Sequence, residues 1–305
     1  MARELCGADV VITDEEFAAF RRLVHQHTGI ALAPGKRYLV QARLARRLRG
    51  LGLASFTDYH RHLVNDASGV ELRRFINAMT TNKTDFWREA HHFDYLTTTW
   101  LRSRGPCRRA TDRYLRFWSA ACSTGEEPYT LAMTLLEALD GGTGWDIRIL
   151  ASDIDTDVLA RAADGVYAVE QLAGVPRPLL TRYFLRGTGT SEGCARVKDA
   201  VRALVTFRRI NFLDDPWPVR ARFDAIFCRN VLIYFDRSTQ QRVVERLVGY
   251  LKDEGVLFLG HSETAHGLVS NLRPIGPTIY QRMDADSCHV AAPPMRDVRD
   301  SGCRT

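Results

Sequence analysis

From residue 113 onward the chain alternates between two grammars. Short β-rich runs, "RYLRFWSA", "WDIRILASD", "VTFRRIN", "FDAIFCRN" and "GVLFLGH", are separated in several places by helical patterns such as 127–140 and 237–252. Antiparallel strands need only tight turns, whereas parallel strands need crossover connections, so strands interleaved with helices imply a parallel sheet with helices on its faces. Residues 168–204 break the alternation. Within them "YFLRGTGTSEGCARV" reads as a glycine-punctuated hairpin, and the stretch is expected to form a small antiparallel β insertion.

The first third reads differently. Thr13 and Glu16 have capping-box spacing ahead of Phe17, Phe20, Leu23 and Val24, and Gly29 follows as a helix-ending glycine. In "GKRYLVQARLARRLRGLG" the apolar Val40, Leu44, Leu48 and Leu51 keep helical spacing, while Arg43, Arg46 and Arg49 recur along another face. Two more helices are expected, from Ser55 and from about Ser68. Residues 10–95 are therefore expected to form a helical domain, 96–112 a linker, 113–284 the sheet domain and 285–305 a disordered tail without apolar period. His91 and His92 read as a solvated helix end.

Composition narrows the class. The chain has 305 residues, 45% of them hydrophobic, and a net charge of +6 that favours acidic partners without naming one. Seven cysteines without CxxC or Cys/His ligand spacing point to reduced thiols rather than a metal site, and no metal is expected. No apolar run has membrane-spanning length, and "MARELCGADVVITDEEF" places acids where a signal peptide needs its apolar region. A cytoplasmic monomer without membrane insertion is expected.

In open α/β sheets ligands bind beyond the carboxyl ends of the strands, so the chemistry should sit where each β run stops. After the first run comes Ser-Thr-Gly-Glu-Glu-Pro. Its glycine permits close backbone approach, but Glu126 and Glu127 in the first helical turn would repel a pyrophosphate. A cationic ligand, an ammonium or a sulfonium, suits that turn better. Asp153 in "ASDID" is placed to accept ribose hydroxyls, and Asp155 to cap the next helix. Asn211 and Phe212 offer an edge and a face to an adenine, and Asn230 and Tyr234 close the fourth strand end. Separately each residue also fits a cap, a turn or a core aromatic; in order, they describe a site for a nucleoside with a cationic tail.

The blocks "TTNKTDFWREAHHFDYL", "SAACSTGEEPYTLAM", "ASDIDTDVLARAADGVY", "YFLRGTGTSEG", "FDAIFCRNVLIYFD" and "GHSE" resemble the chemotaxis receptor glutamate methyltransferase family, CheR, over about residues 10–282. The resemblance implies an S-adenosylmethionine-dependent methyltransferase with a Rossmann-like sheet, an N-terminal helical domain and a β insertion. Carried over by motif, it implies cofactor contacts from Asn82, Thr84, Arg88, Glu126, Asp153, Asn211, Phe212, Arg229, Asn230 and Val231, with the choice between Glu126 and Glu127 open. Arg104 and Tyr234 are expected at the methyl-transfer point. Where the family has two phenylalanines this chain has Phe86 and Trp87. The implied substrates are glutamates of methyl-accepting chemotaxis receptors, with Arg43, Arg46 and Arg49 docking their acidic helices and the insertion binding a receptor C-terminal peptide. Two rivals are a nucleic-acid methyltransferase and a scaffold that binds S-adenosylmethionine without turnover. "NVLIY" lacks both prolines of the adenine-methylase loop and no base-reading segment is present, so no nucleic-acid partner is expected.

Overall fold

A computed structural model describes residues 10–103 and 113–283. Helix α1 (Asp14–Thr28) starts at the expected capping box. Thr13 Oγ1 accepts the Glu16 N–H at 3.1 Å, Glu16 Oε2 accepts the Thr13 N–H at 2.9 Å, and Gly29 ends the helix with φ 75°. α2 (Arg37–Leu51), α3 (Phe56–Asn65) and α4 (Val70–Met79) pack with it around Phe20, Leu44, Phe56, Tyr59 and Phe75. Those side chains stand at helical spacing, so each helix has one apolar stripe to bury. One charge is buried here: Glu71 accepts Arg47 Nε at 2.9 Å, Arg47 Nη2 at 2.6 Å and the Tyr59 hydroxyl at 2.9 Å.

Residues 80–90 leave the bundle and cross to the sheet. α5 (His91–Tyr95), a π turn (Leu96–Trp100) and α6 (Leu101–Ser103) form one continuous helical run packed on the sheet core. Phe93 stacks on Phe227 with 5.7 Å between centroids, and Trp100 meets Phe117 edge-on at 5.8 Å. The expected linker at 96–112 is thus helical as far as Ser103; the remainder lies outside the described residues. His92 also departs from its sequence reading. It is buried against Phe258, its Nε2 within 3.0 Å of Thr278 Oγ1, and burial lowers its pKa to about 3, so it is a neutral core residue. Only His91 is exposed.

The sheet contains β1 (Tyr114–Ala120), β2 (Asp146–Asp153), β6 (Val205–Arg209), β7 (Phe223–Cys228) and β8 (Leu251–Leu259), joined in parallel in the order β6-β2-β1-β7-β8. α7 (Glu126–Ala138), α8 (Thr156–Asp164) and α11 (Arg237–Tyr250) are crossovers on its faces. The order reverses at β1, which creates a topological switch point between β1 and β7. Between β2 and β6 lies the insertion: β3 (Val166–Ala168), α9 (Arg177–Tyr183), β4 (Phe184–Arg186), β5 (Cys194–Val197) and α10 (Asp199–Arg202). β5 pairs antiparallel with both β3 and β4, so "YFLRGTGTSEGCARV" is a hairpin, and the small sheet starts two residues before 168.

Two strands had no counterpart in the sequence reading. β10 (Ile279–Arg282) pairs antiparallel with β8, and β9 (Leu272–Gly276) pairs antiparallel with β10 at the sheet edge. Pro274 and Pro277 hide them from a propensity reading, and Pro274 is tolerated because β9 is the outermost strand. No helix among the described residues is long and apolar enough to cross a membrane.

Candidate active site

The turn after β1 is tightly constrained. Ala121 and Ser123 hold φ of 68° and 50°, and Gly125 holds φ 97° with its Cα so close to α8 that a Cβ would meet Ala162 Cβ and Tyr167 Oη at 2.9 Å. Non-glycine residues in the left-handed region persist only where their surroundings fix them. Here the Ser123 N–H donates to Asp153 Oδ2 at 2.9 Å, and the Asp155 N–H donates to Asp153 Oδ1 at 3.0 Å. Asp153 is buried and forms no ion pair among the described residues, and burial pushes its carboxyl up to about 6. Each oxygen keeps acceptor capacity toward the cleft.

Glu126 and Glu127 separate at the helix start. The Glu126 carboxylate turns back to Thr124 Oγ1, at 3.0 and 2.7 Å, and does not line the cleft; Glu127 does. The reason is helical geometry, since successive residues point about 100° apart. Glu127 Oε1 accepts from Ser119 Oγ at 2.6 Å and Oε2 from Arg229 Nη1 at 3.1 Å, while burial raises its pKa. Arg229 is itself buried. It donates to the Arg88 carbonyl, lies 3.3 Å from Glu89 Oε2 and sits 5.6 Å from the centroid of the Phe93 ring.

The bundle supplies the opposite wall. Asp155 caps α8 through Asp157 N–H at 2.9 Å, as its spacing suggests, and its other oxygen takes Thr80 Oγ1 and Asn82 Nδ2, both at 2.7 Å. Ser123 Oγ donates to the Asn82 carbonyl at 2.9 Å. One acid therefore ties the strand end to the segment that carries Asn82, Thr84 and Arg88 along the cleft.

Asn211, Phe212, Val231 and Tyr234 complete the lining. The Asn211 side chain, expected to edge an adenine, is spent elsewhere: Nδ2 donates to the His27 carbonyl at 2.8 Å and Oδ1 accepts the Leu213 N–H at 3.1 Å. Asn230 also turns out of the cleft, with φ 58° and Nδ2 3.2 Å from Glu89 Oε1. The cleft encloses about 410 Å³. Ile30, Leu32, Leu39, Ile154, Ile210 and Ile233 make it largely apolar, and Lys36 and Lys83 stand at its lip.

The arginine stripe divides. Arg46 and Arg49 are exposed, whereas Arg43 is half-buried and donates to the Met79 and Thr80 carbonyls at 2.9 and 2.8 Å. A step of three residues turns a helix about 60° short of a full rotation, so the stripe drifts until Arg43 faces the carboxyl end of α4. Arg104 lies outside the described residues.

A carboxylate without an ion pair at the end of β2, a second acid, Glu127, after β1 and apolar walls fit an adenosyl group with a cationic tail. They do not fit a pyrophosphate. Residues 82–280 match the family model described as the CheR methyltransferase SAM binding domain, and residues 15–80 match the CheR methyltransferase all-alpha domain. The chain belongs to the CheR methyltransferase family. It is 49% identical over 270 residues to "Chemotaxis protein methyltransferase 2" of Pseudomonas aeruginosa, covering 88% of this chain and 93% of that one. It is 44% identical over 272 residues to "Chemotaxis protein methyltransferase" of Salmonella typhimurium, covering 89% and 91%. The cofactor of this CheR chain is S-adenosylmethionine.

Three residues at the site escaped sequence reasoning. Glu89 lies 3.3 Å from Arg229 and meets the exposed His261 Nδ1 at 3.0 Å, and Glu263 accepts the Asn230 N–H at 2.8 Å; none of the three lines the cleft. Their signal was present only as the acid of "REAHH" and the histidine and acid of "GHSE".

Proposed function

We propose that the protein transfers methyl from S-adenosylmethionine to glutamate side chains of chemoreceptor cytoplasmic helices, giving glutamate methyl esters and S-adenosylhomocysteine. The observation that carries this reading is the cleft itself. Acids lie at its floor, apolar side chains line its walls and lysines stand at its lip, between a bundle and the carboxyl edge of a sheet. Asp153 is assigned to the ribose hydroxyls, Glu127 to the amino-acid end, and Phe212 with the Asn211 backbone to the adenine. Tyr234 is assigned to the methyl-transfer point with Arg104.

S-adenosylmethionine supplies an electrophilic methyl on a sulfonium. The acceptor carboxyl, with a pKa near ~4.3, is an anion at neutral pH and needs no general base. What remains for the chain is alignment and exclusion of water. Ile30, Leu32, Leu39 and Ile233 make the approach apolar, which favours a step in which opposite charges cancel. Alignment of this kind supplies roughly 7–11 kcal/mol of a barrier. Lys36 and Lys83, with Arg46 and Arg49 outside the lip, steer an acidic helix toward the opening.

The test is radiolabelled methyl transfer to receptor-containing membranes, followed by alkali. Methyl esters release methanol, whereas methylated bases keep the label, which excludes the nucleic-acid alternative. Charge reversal at Arg46 and Arg49 should lower receptor methylation about tenfold and leave cofactor affinity unchanged; equal loss of both removes the docking assignment.

The insertion adds a second contact to this reading. Its outer strands β3 and β4 each pair on one side only within the small sheet, with Val166 and Leu185 exposed. An extended receptor C-terminal peptide pairs with such an edge by main-chain hydrogen bonds. The full chain, a cytoplasmic monomer in this reading, should bind that peptide with protection of β3 or β4 amides from exchange, and unchanged exchange would remove the tether.

A further inference from the structure

The loop that brings Val231, Ile233 and Tyr234 to the cleft is an irregular turn between β7 and α11. Asn230 lies in the left-handed region at φ 58°, and one 3-10 turn (Leu232–Tyr234) follows before α11. Gln240 Nε2 donates to the Leu232 and Phe235 carbonyls of this turn at 3.0 and 3.1 Å, and a carboxylate holds its amide side. Glu263, just past the end of β8, accepts three backbone N–H groups: Asn230 at 2.8 Å and Gly260 at 2.6 Å on Oε2, and Leu232 at 2.7 Å on Oε1.

Two details tighten the arrangement. Gly260 lies against the turn, and a Cβ there would come within 2.8 Å of the Asn230 nitrogen, so only glycine lets the β8 end approach. From the other side Glu89 holds Asn230 Nδ2, and its oxygen also meets His261 Nδ1 at 3.0 Å. Glu263 is 7% exposed and does not line the cleft. Its carboxylate serves two strand ends and stays out of the cleft.

We infer that Glu263 is a positioning residue for methyl transfer, clasping the Asn230 turn so that Tyr234 faces the acceptor. This rests on the proposed placement of Tyr234 at the reacting centre. The chemistry needs an ionised carboxylate, because an amide turns an N–H₂ group toward one of the three donors. A displacement of about 1 Å at residues that align a reaction is worth roughly 100-fold in rate.

The test uses Glu263→Gln and Tyr234→Phe in the full chain, with kcat, the Kd for S-adenosylhomocysteine and amide exchange as readouts. Glu263→Gln should lower kcat about 100-fold, change that Kd less than threefold, and speed exchange at Asn230, Leu232 and Gly260 about tenfold or more. Glu263→Asp, which keeps the charge, should regain part of kcat. A Glu263→Gln kcat within threefold of the parent, or a Kd that worsens in step with kcat, overturns the inference. A full-rate Tyr234→Phe overturns the assignment of Tyr234 alone, because the exchange rates and kcat of the Glu263 variants still report on the clasp.

Discussion

Asp153→Asn is expected to raise the Kd for S-adenosylmethionine and S-adenosylhomocysteine roughly 100- to 10,000-fold. The carboxylate already accepts the Ser123 and Asp155 amides and is assigned the ribose hydroxyls with its remaining lone pairs. An asparagine offers one oxygen and turns two hydrogens toward groups that are themselves donors. Two hydrogen bonds to a charged acceptor, at about 1.5–3 kcal/mol each, set the size of the loss. Titration calorimetry of parent and variant decides it. A Kd within threefold of the parent would place the nucleoside elsewhere.

The same residue predicts a pH dependence with two opposite signs. Burial lifts the Asp153 carboxyl to about 6. The ribose contact uses the anion, so cofactor affinity should be flat above that pH and fall about tenfold per pH unit below it. For the ligand-free protein the contribution runs the other way. A carboxyl whose folded pKa exceeds its unfolded value binds the proton more tightly when folded, so this group lends stability as pH falls from about 6 toward about 4. Weaker binding to a protein that this group makes more stable separates Asp153 titration from acid unfolding, and both slopes should vanish in Asp153→Asn.

What the sequence made legible was local. Thr13 and Glu16 announce a helix start because a capping box lies within four residues, and the acids after β1 and β2 announce a site because strand ends in an alternating pattern converge. Whatever depended on direction or on distant partners stayed hidden. Glu126 and Glu127 are equivalent in sequence, and only the pitch of α7 against β1 points one at Thr124 and the other at the cleft. His92 read as solvated until Phe258 covered it. Glu263 looks like a surface acid, because its three partners include two amides more than thirty residues away in the chain. β9 was disguised by a proline that only an outermost strand accommodates.

Arg229→Met is expected to lower the unfolding free energy by about 3–5 kcal/mol, the cost of leaving buried charge unpaired. Arg229 is the cation between two acids, 3.1 Å from Glu127 and 3.3 Å from Glu89, and it also holds the Arg88 carbonyl of the crossing segment. The two acids respond differently to their surroundings. Burial raises Glu127 even with Arg229 present, whereas at Glu89 the His261 hydrogen bond and the Arg229 charge outweigh burial and leave the carboxyl at about 2. A depressed carboxyl lends stability that is complete above its unfolded pKa and is lost as pH falls toward the folded one. In Arg229→Met both carboxyls should move upward, so the variant's deficit should be largest at neutral pH and shrink toward pH 5 as they take up protons. Urea unfolding at pH 7.5 and pH 5 measures both quantities. Arg229→Lys, which keeps a charge but not the fork, should fall between parent and methionine. A methionine variant within 1 kcal/mol of the parent at pH 7.5 would mean that the acids are screened by solvent and that the floor of the cleft is wetter than its burial indicates.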